Sequence, residues 1–107
     1  MNTLKNKKIV NKKTTDPIDR LVFEEGLRIN DVYINKDLDL IIVLLNNKKI
    51  IQRPLSDFVT LYKASLKQLK IFECDGIGIH WPTLDEDLSL RGFLKYEISR
   101  INRPLVE

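Results

Sequence analysis

The chain has 107 residues, of which 43% are hydrophobic and 31% charged, and its formal net charge is +3. This length suits one globular domain with a modest core. No apolar stretch approaches the roughly 20 residues of a membrane span, and no secretory signal is visible at the N-terminus. The single cysteine, Cys74, excludes an internal disulfide and favours a reducing compartment. We therefore expect a cytoplasmic protein with no membrane partner.

The positive charge is concentrated at the N-terminus. Residues 1–20 carry six cations and two anions, a net +4, whereas residues 21–107 carry 12 cations and 13 anions. We predict a disordered basic tail over residues 1–19, a folded domain over 20–99 and a short C-terminal tail over 100–107. The basic tail is either a solubilising segment or a weak nucleic-acid contact through its lysines, Lys5, Lys7, Lys8, Lys12 and Lys13.

The first two predicted strands differ in how much apolar surface they carry. Leu27–Ile34 alternates between apolar and polar residues, with a one-residue slip at Asn30–Asp31 that indicates a bulge. Leu38–Leu45 is the strongest strand, and most of its length is apolar on both faces. Both faces therefore have to be covered, either by helices of the same domain or by another chain. Asn46-Asn47 then suits a tight hairpin turn, because asparagine tolerates a positive φ.

The spacing becomes helical after a third strand, Lys49–Arg53, which Pro54 ends. Ser56 is a candidate N-cap for a helix whose apolar residues fall at i, i+3 and i+4, namely Phe58, Leu61 and Tyr62. Ser65 is a candidate cap for a second short helical turn.

The last third predicts a hairpin followed by a helix. Lys70–Cys74 and Ile77–Trp81 are strands joined by Asp75-Gly76, a preferred hairpin dipeptide. After an acidic loop, Ser89 caps a final helix with one apolar stripe, formed by Leu90, Phe93, Leu94, Ile98 and Ile101. Together these segments give about five strands in a small antiparallel sheet with two or three short helices, which is a single α+β domain.

Residues able to carry catalysis or to bind a metal are sparse. His80 is the only histidine, and its place between Ile79 and Trp81 in a strand predicts that it points away from the core. One histidine and one cysteine are too few for a structural zinc site. Cys74 has no basic neighbours in sequence, so we expect a buried hydrophobic residue and not a nucleophile. We expect no enzyme activity and no cofactor.

The densest acidic cluster is Asp85, Glu86 and Asp87. These carboxylates precede the predicted final helix, whose N-terminus carries partial positive charge, so they are expected to stabilise it. A docking site for a basic partner and a cation site are the alternatives, although the glycine and the ligand spacing of a calcium-binding EF-hand loop are missing.

Residues 76–94, G-I-G-I-H-W-P-T-L-D-E-D-L-S-L-R-G-F-L, resemble the signature of a bacterial family known as domain of unknown function 2442. The resemblance extends over roughly residues 27–95. Independently of the family, the motif predicts a structural corner: Gly76 and Gly78 permit the turn, Trp81 enters the core, Pro82 ends the strand and Ser89 begins the helix. The resemblance implies a small bacterial protein, often encoded beside a second short gene in a toxin–antitoxin-like arrangement.

The expected function is a protein-binding module, the antitoxin-like partner of a small toxin whose surface it occludes. The alternative is an accessory nucleic-acid-associated protein of a mobile element or defence system, which acts through the basic tail. For the protein contact, we predict that the second face of Leu38–Leu45, centred on Ile41 and Val43, meets a cognate protein or a second copy. Asp85, Glu86 and Asp87 are a further possible contact.

Overall fold

A computed structural model describes residues 16–102, with the side chain of the last of these left out. The five lysines of the basic tail lie outside this range. The described chain opens with a helical turn, α1 (Pro17–Asp19), which continues into one turn of π-helix, Arg20–Glu24. Asp16 caps α1 by accepting a hydrogen bond from the Ile18 N–H at 2.9 Å. Ile18 is buried in the core, so the predicted tail boundary at residue 19 is wrong: the folded body begins earlier.

The first sheet consists of β1 (Ile29–Asn35), β2 (Leu40–Leu45) and β3 (Ile50–Pro54), which pair antiparallel in chain order. Its register shifts between Ile29 and Asp31, which confirms the predicted bulge. The hairpin between β2 and β3 is also confirmed, although Lys48, and not an asparagine, has the positive φ of 74°.

Short helices follow the first sheet. A 3₁₀ turn, Leu55–Asp57, leads to α2 (Val59–Lys63) and α3 (Leu66–Leu69). Ser65 caps α3, as predicted, and it does so in a reciprocal capping box with Gln68. The prediction for Ser56 is wrong, because its hydroxyl donates to the Asp39 carboxylate at 2.7 Å while α2 begins without a side-chain cap.

The second sheet is built from β4 (Glu73–Cys74), β5 (Gly78–Trp81) and β6 (Glu86–Ser89), again antiparallel in chain order. The Asp75-Gly76 hairpin is confirmed, with Gly76 at a φ of 94° that favours glycine. The acidic segment, predicted as a loop, is largely strand: its register with β5 lets Asp87 face His80. The described residues thus hold six strands in two sheets, where about five strands in one sheet were predicted, and the α+β class is confirmed.

Helix α4 (Leu90–Asn102) closes the domain. The Gly92 N–H donates to the Ser89 hydroxyl at 2.9 Å, which confirms Ser89 as its cap. The predicted stripe packs inward at Leu90 and Phe93, whereas Ile101 at its far end is exposed. The helix extends past residue 99, so the predicted C-terminal tail begins too early. No helix within residues 16–102 is long and apolar enough to cross a membrane.

One core joins both sheets to the helices. Trp81 lies at its centre, fully buried, with its indole N–H donating to the Leu69 carbonyl at 3.1 Å. Two backbone hydrogen bonds connect the second hairpin to the rest of the domain: Ile29 N–H to the Gly76 carbonyl at 2.7 Å, and Leu90 N–H to the Ile77 carbonyl at 2.9 Å. The remaining buried side chains are Ile18, Val22, Leu27, Ile29, Ile41, Val43, Leu45, Ile51, Leu55, Leu61, Ala64, Leu69, Ile79, Leu90, Phe93 and Leu94.

Candidate protein-contact surfaces

The predicted contact residues on β2 are on the wrong face. Ile41 and Val43 are 0% exposed and belong to the core, so neither can meet a partner. Both faces of β2 are apolar, and alternation alone could not decide which of them the helices would cover. The face of β2 that holds Ile41, Val43 and Leu45 packs into the core. The opposite face of the sheet is therefore the one to consider.

This opposite face, hereafter the outer face, follows from the strand register. Its central residues are Leu40, Ile42 and Leu44 of β2, flanked across the two ladders by residues of β1 and β3. Tyr33 and Ile50 on the flanking strands are 59% and 60% exposed, and Leu44 is 37% exposed. The other flanking residues are Asp31, Asn35, Gln52 and Pro54, so one of these nine positions is charged. A solvated face of an antiparallel sheet is normally polar, which makes this composition unusual.

A second apolar surface lies beside β1, which is an edge strand of the first sheet. A cavity of about 180 Å³ is lined by three consecutive residues of β1 and by residues in and after α3; we call it the edge groove. Successive strand residues point to opposite faces, so a cavity that touches three in a row lies along the strand edge. Its lining is Val32, Tyr33, Ile34, Leu66, Leu69, Lys70 and Phe72. Leu66 at its rim is 61% exposed.

The acidic cluster does not converge on one point. The His80 Nδ1 lies 2.7 Å from the Asp87 Oδ1, and Glu73 is the residue opposite His80 on the other ladder. Asp85 occupies the turn before β6 with a φ of 52°. Within residues 16–102, no group of three or more histidine, cysteine or acidic residues could hold a metal ion. Cys74 is exposed, contrary to its predicted burial, because β4 is a two-residue edge strand.

The turn that the motif predicts lies in the hairpin between β4 and β5. Asp75 accepts hydrogen bonds from the N–H groups of Ile77 and Gly78, at 3.0 and 2.8 Å. These two bonds favour the charged carboxylate and hold the pKa of Asp75 below its usual value. Gly78 lies in β5, and Pro82 follows that strand as predicted. Asp75 and Gly76 thus shape the turn, and Pro82 follows the returning strand.

A basic residue on α4 connects the first helical turn to the last helix. Arg91 donates to the Asp16 carboxylate at 2.7 Å and also pairs with Asp19. The hydrogen bond from Arg91 lowers the pKa of Asp16, and the two carboxylates raise the pKa of Arg91. This cluster could not be predicted from the sequence, because its partners are more than 70 positions apart.

Arg53 is the charged residue of β3 that faces inward, opposite Ile41. Its guanidinium carbon lies 4.3 Å from the Tyr96 ring centre and 4.6 Å from that of Phe58, and its Nη2 donates to Asp57 at 3.1 Å. Aromatic faces and a carboxylate thus surround this charge, while its buried Nε has no hydrogen-bond partner among the described residues. The cluster has a packing role, and no ligand is needed to explain it.

The fold and these surfaces define a small α+β domain of two antiparallel sheets with an apolar face left open. The chain belongs to the family described as "Protein of unknown function (DUF2442)", whose profile matches residues 29–99. No match was found among the curated proteins.

Two solved structures are similar. One is a crystal structure of a protein of unknown function from Rhodospirillum rubrum, 33% identical, with a TM-score of 0.56 over 66% of this chain and 88% of that one. The other is the solution NMR structure of an uncharacterized protein from Chromobacterium violaceum, with a TM-score of 0.59 over 83% of this chain and 85% of that one. At 23% identity, the second likeness concerns the fold alone.

Proposed function

We propose that this protein is a non-catalytic protein-binding module, the antitoxin-like partner of a small toxin. The observation that carries the proposal is the edge groove, an apolar cavity along the edge of β1, beyond which no further strand lies in the described residues. An unpaired strand edge offers a row of backbone donors and acceptors, and an extended segment of a partner can add to it as a further strand. Binding of this kind would cover the toxin segment and prevent it from acting.

The rim of the groove limits the chemistry of that segment. Leu66 and Tyr33 leave apolar surface exposed beside the cavity, which suits one or two apolar side chains of the partner. Lys70 lines the groove, and residues 59–70, which contain Lys63 and Lys67 as well, have no acidic residue. A partner segment with apolar residues at every second position and acidic residues beside them would match both features.

The test uses the product of the gene adjacent to this one, expressed together with the full chain. We compare Leu66→Asp, at the groove rim, with Val59→Asp, a residue of α2 outside the groove that is 59% exposed against 61% for Leu66. Both changes place the same charge on an equally exposed apolar site. We expect the wild type and Val59→Asp to form a complex and to rescue growth, while Leu66→Asp weakens the complex by at least about tenfold.

Two results would reject the proposal. In the first, the neighbouring gene product does not bind the wild type and expression of the chain does not change its toxicity. In the second, Leu66→Asp binds as tightly as Val59→Asp, which would place the contact elsewhere. Circular dichroism of both variants serves as the folding control.

A further inference from the structure

We infer that the outer face of the first sheet is a self-association surface that pairs with the outer face of a second copy of this chain. This goes beyond the proposed function, because it concerns a different surface and a different partner. The outer face and the edge groove share Tyr33 at their boundary, but the other residues of the two surfaces are distinct.

The apolar centre of the outer face is the first argument. Leu40, Ile42 and Leu44 form a continuous row along β2, with Tyr33 on one side and Ile50 on the other. Three strands about 4.8 Å apart and roughly 20 Å long give a face of about 300 Å², whose centre is apolar. Exposed apolar patches on small proteins are often contact sites, and face-to-face packing of two sheets is a common way to cover them.

The ends of the face carry opposite charges, which is the second argument. At one end, the turn between β2 and β3 carries two exposed cations, Lys48 and Lys49. At the other end, the turn between β1 and β2 carries Asp37 and Asp39. None of Lys48, Lys49 and Asp37 forms an ion pair with another residue in the described part of the chain.

Further charges lie near these ends and reduce the contrast without removing it. Arg53 and Arg100 line a cavity with Asp39 at the aspartate end, and each is paired with a carboxylate, Asp57 and Glu97 respectively. Asp31 lies on β1 opposite Leu44, at the lysine end, and Lys36 lies at the aspartate end. The Lys36 ammonium is bonded to the Ala64 carbonyl, which holds it toward the helices. Counting all of these residues, the lysine end has a net charge of +1 and the aspartate end −1.

This distribution selects one dimer geometry. When two copies meet face to face, the two-fold axis lies in the interface. For sheets that pack with their strands nearly aligned, the axis runs close to the strand direction or close to the direction across the strands. An axis along the strands would place the lysine ends of both copies together. An axis across the strands reverses one copy, so Lys48 and Lys49 of each copy meet Asp37 of the other. The second geometry is self-complementary in both charge and apolar area.

The size of the patch makes the dimer weak. Even with the end turns included, the total buried area is below about 1,200 Å², at the low end for specific interfaces. We therefore expect a dissociation constant on the order of 100 μM. Sedimentation equilibrium from about 10 μM to 1 mM should show the average mass rising from the monomer value of 12.5 kDa toward twice that value.

Matched variants test the apolar centre. Ile50→Asp replaces a residue of the outer face that is 60% exposed, and Val59→Asp replaces one outside it that is 59% exposed. Ile50→Asp should raise the dissociation constant at least tenfold, whereas Val59→Asp should leave it within about twofold. If the wild type remains monomeric at 1 mM, or if both variants behave alike, the inference is wrong.

Exchanging the charges at the two ends tests the geometry of the dimer. This test remains valid even if Ile50→Asp does not fold. The variant Lys48→Glu/Lys49→Glu has two negative ends and Asp37→Lys has two positive ends, so each alone should dimerise less than the wild type. Mixed together, they should form a heterodimer with affinity near that of the wild type, because both contacts pair opposite charges again. Asp39 is left intact because its carboxylate binds Ser56.

The alternative geometry gives a different result. With the axis along the strands, like ends already meet in the wild type, so neither variant alone would dimerise less than the wild type, and their mixture would associate more tightly than the wild type does. That outcome would overturn the proposed arrangement, and equal weak association in every mixture would overturn the role of the charges.

Discussion

Replacing Trp81 with alanine should be among the most damaging single changes to this domain. The side chain is fully buried, packs against Phe72 with ring centres 5.7 Å apart, and donates its N–H to the Leu69 carbonyl. Removing the ring loses apolar burial and leaves a cavity, which costs about 3–5 kcal/mol. It also leaves the buried Leu69 carbonyl without its donor, which adds to the cost. This is a large part of the roughly 5–15 kcal/mol that stabilises a whole domain.

Urea denaturation followed by circular dichroism measures the effect, because Trp81 is the only tryptophan and its variants lose the fluorescence probe. Trp81→Phe retains most of the packing but not the donor, so it should lose clearly less stability than Trp81→Ala. His80→Ala, which alters the half-exposed neighbour, should cost under about 1 kcal/mol. If Trp81→Ala denatures at the same urea concentration as His80→Ala, the tryptophan does not hold the core together.

Three other changes test the fold. Gly76→Ala should destabilise by about 1–2 kcal/mol, because the residue has a φ of 94° and an added Cβ would lie 3.2 Å from an arginine side chain; an unchanged denaturation midpoint would contradict this. The pKa of the Asp75 carboxyl is lower in the folded than in the unfolded chain. The stability that the charged carboxylate gives the fold is therefore fully present above pH about 4, the ordinary pKa, and is lost as the pH falls below that value. Asp75→Asn should therefore make the acid denaturation curve shallower, and an identical curve would refute the linkage. Deleting residues 1–15 should leave the thermal midpoint almost unchanged and abolish any weak, salt-sensitive nucleic-acid binding, whereas deleting residues 1–19 should lower the midpoint because Ile18 is buried.

Features set by local chemistry could be predicted from the sequence. The Asp75-Gly76 turn, the Ser65 capping box and the Ser89 cap each depend on residues within a few positions of one another. The bulge near Asn30 followed from a slip in alternation. The burial of Trp81 followed from its place in an alternating strand that a proline ends. In these cases the side chain and its partner are specified within a single segment.

Features set by distant packing could not be predicted. Both faces of β2 are apolar, and only the positions of the helices place Ile41 and Val43 inside. The division into two sheets depends on where the second hairpin docks, through Ile29 and Gly76. The edge groove brings β1 beside α3, more than 30 positions later in the chain. Only Tyr33 pointed to the edge groove in advance, because it is an aromatic residue at an outward strand position.

The ion pairs of Arg91 also have a consequence for the order in which the domain assembles. Every strand pairing within residues 16–102 joins neighbours in the chain, whereas Arg91 binds carboxylates 72 and 75 positions away. Local ladders form at low entropic cost, so docking of α1 onto α4 should come after the rate-limiting step. Arg91→Ala should then accelerate unfolding in stopped-flow experiments and leave the folding rate nearly unchanged; an equally slowed folding rate would contradict this order. During synthesis on the ribosome, α1 emerges first and has to wait for nearly the whole domain before its binding site exists.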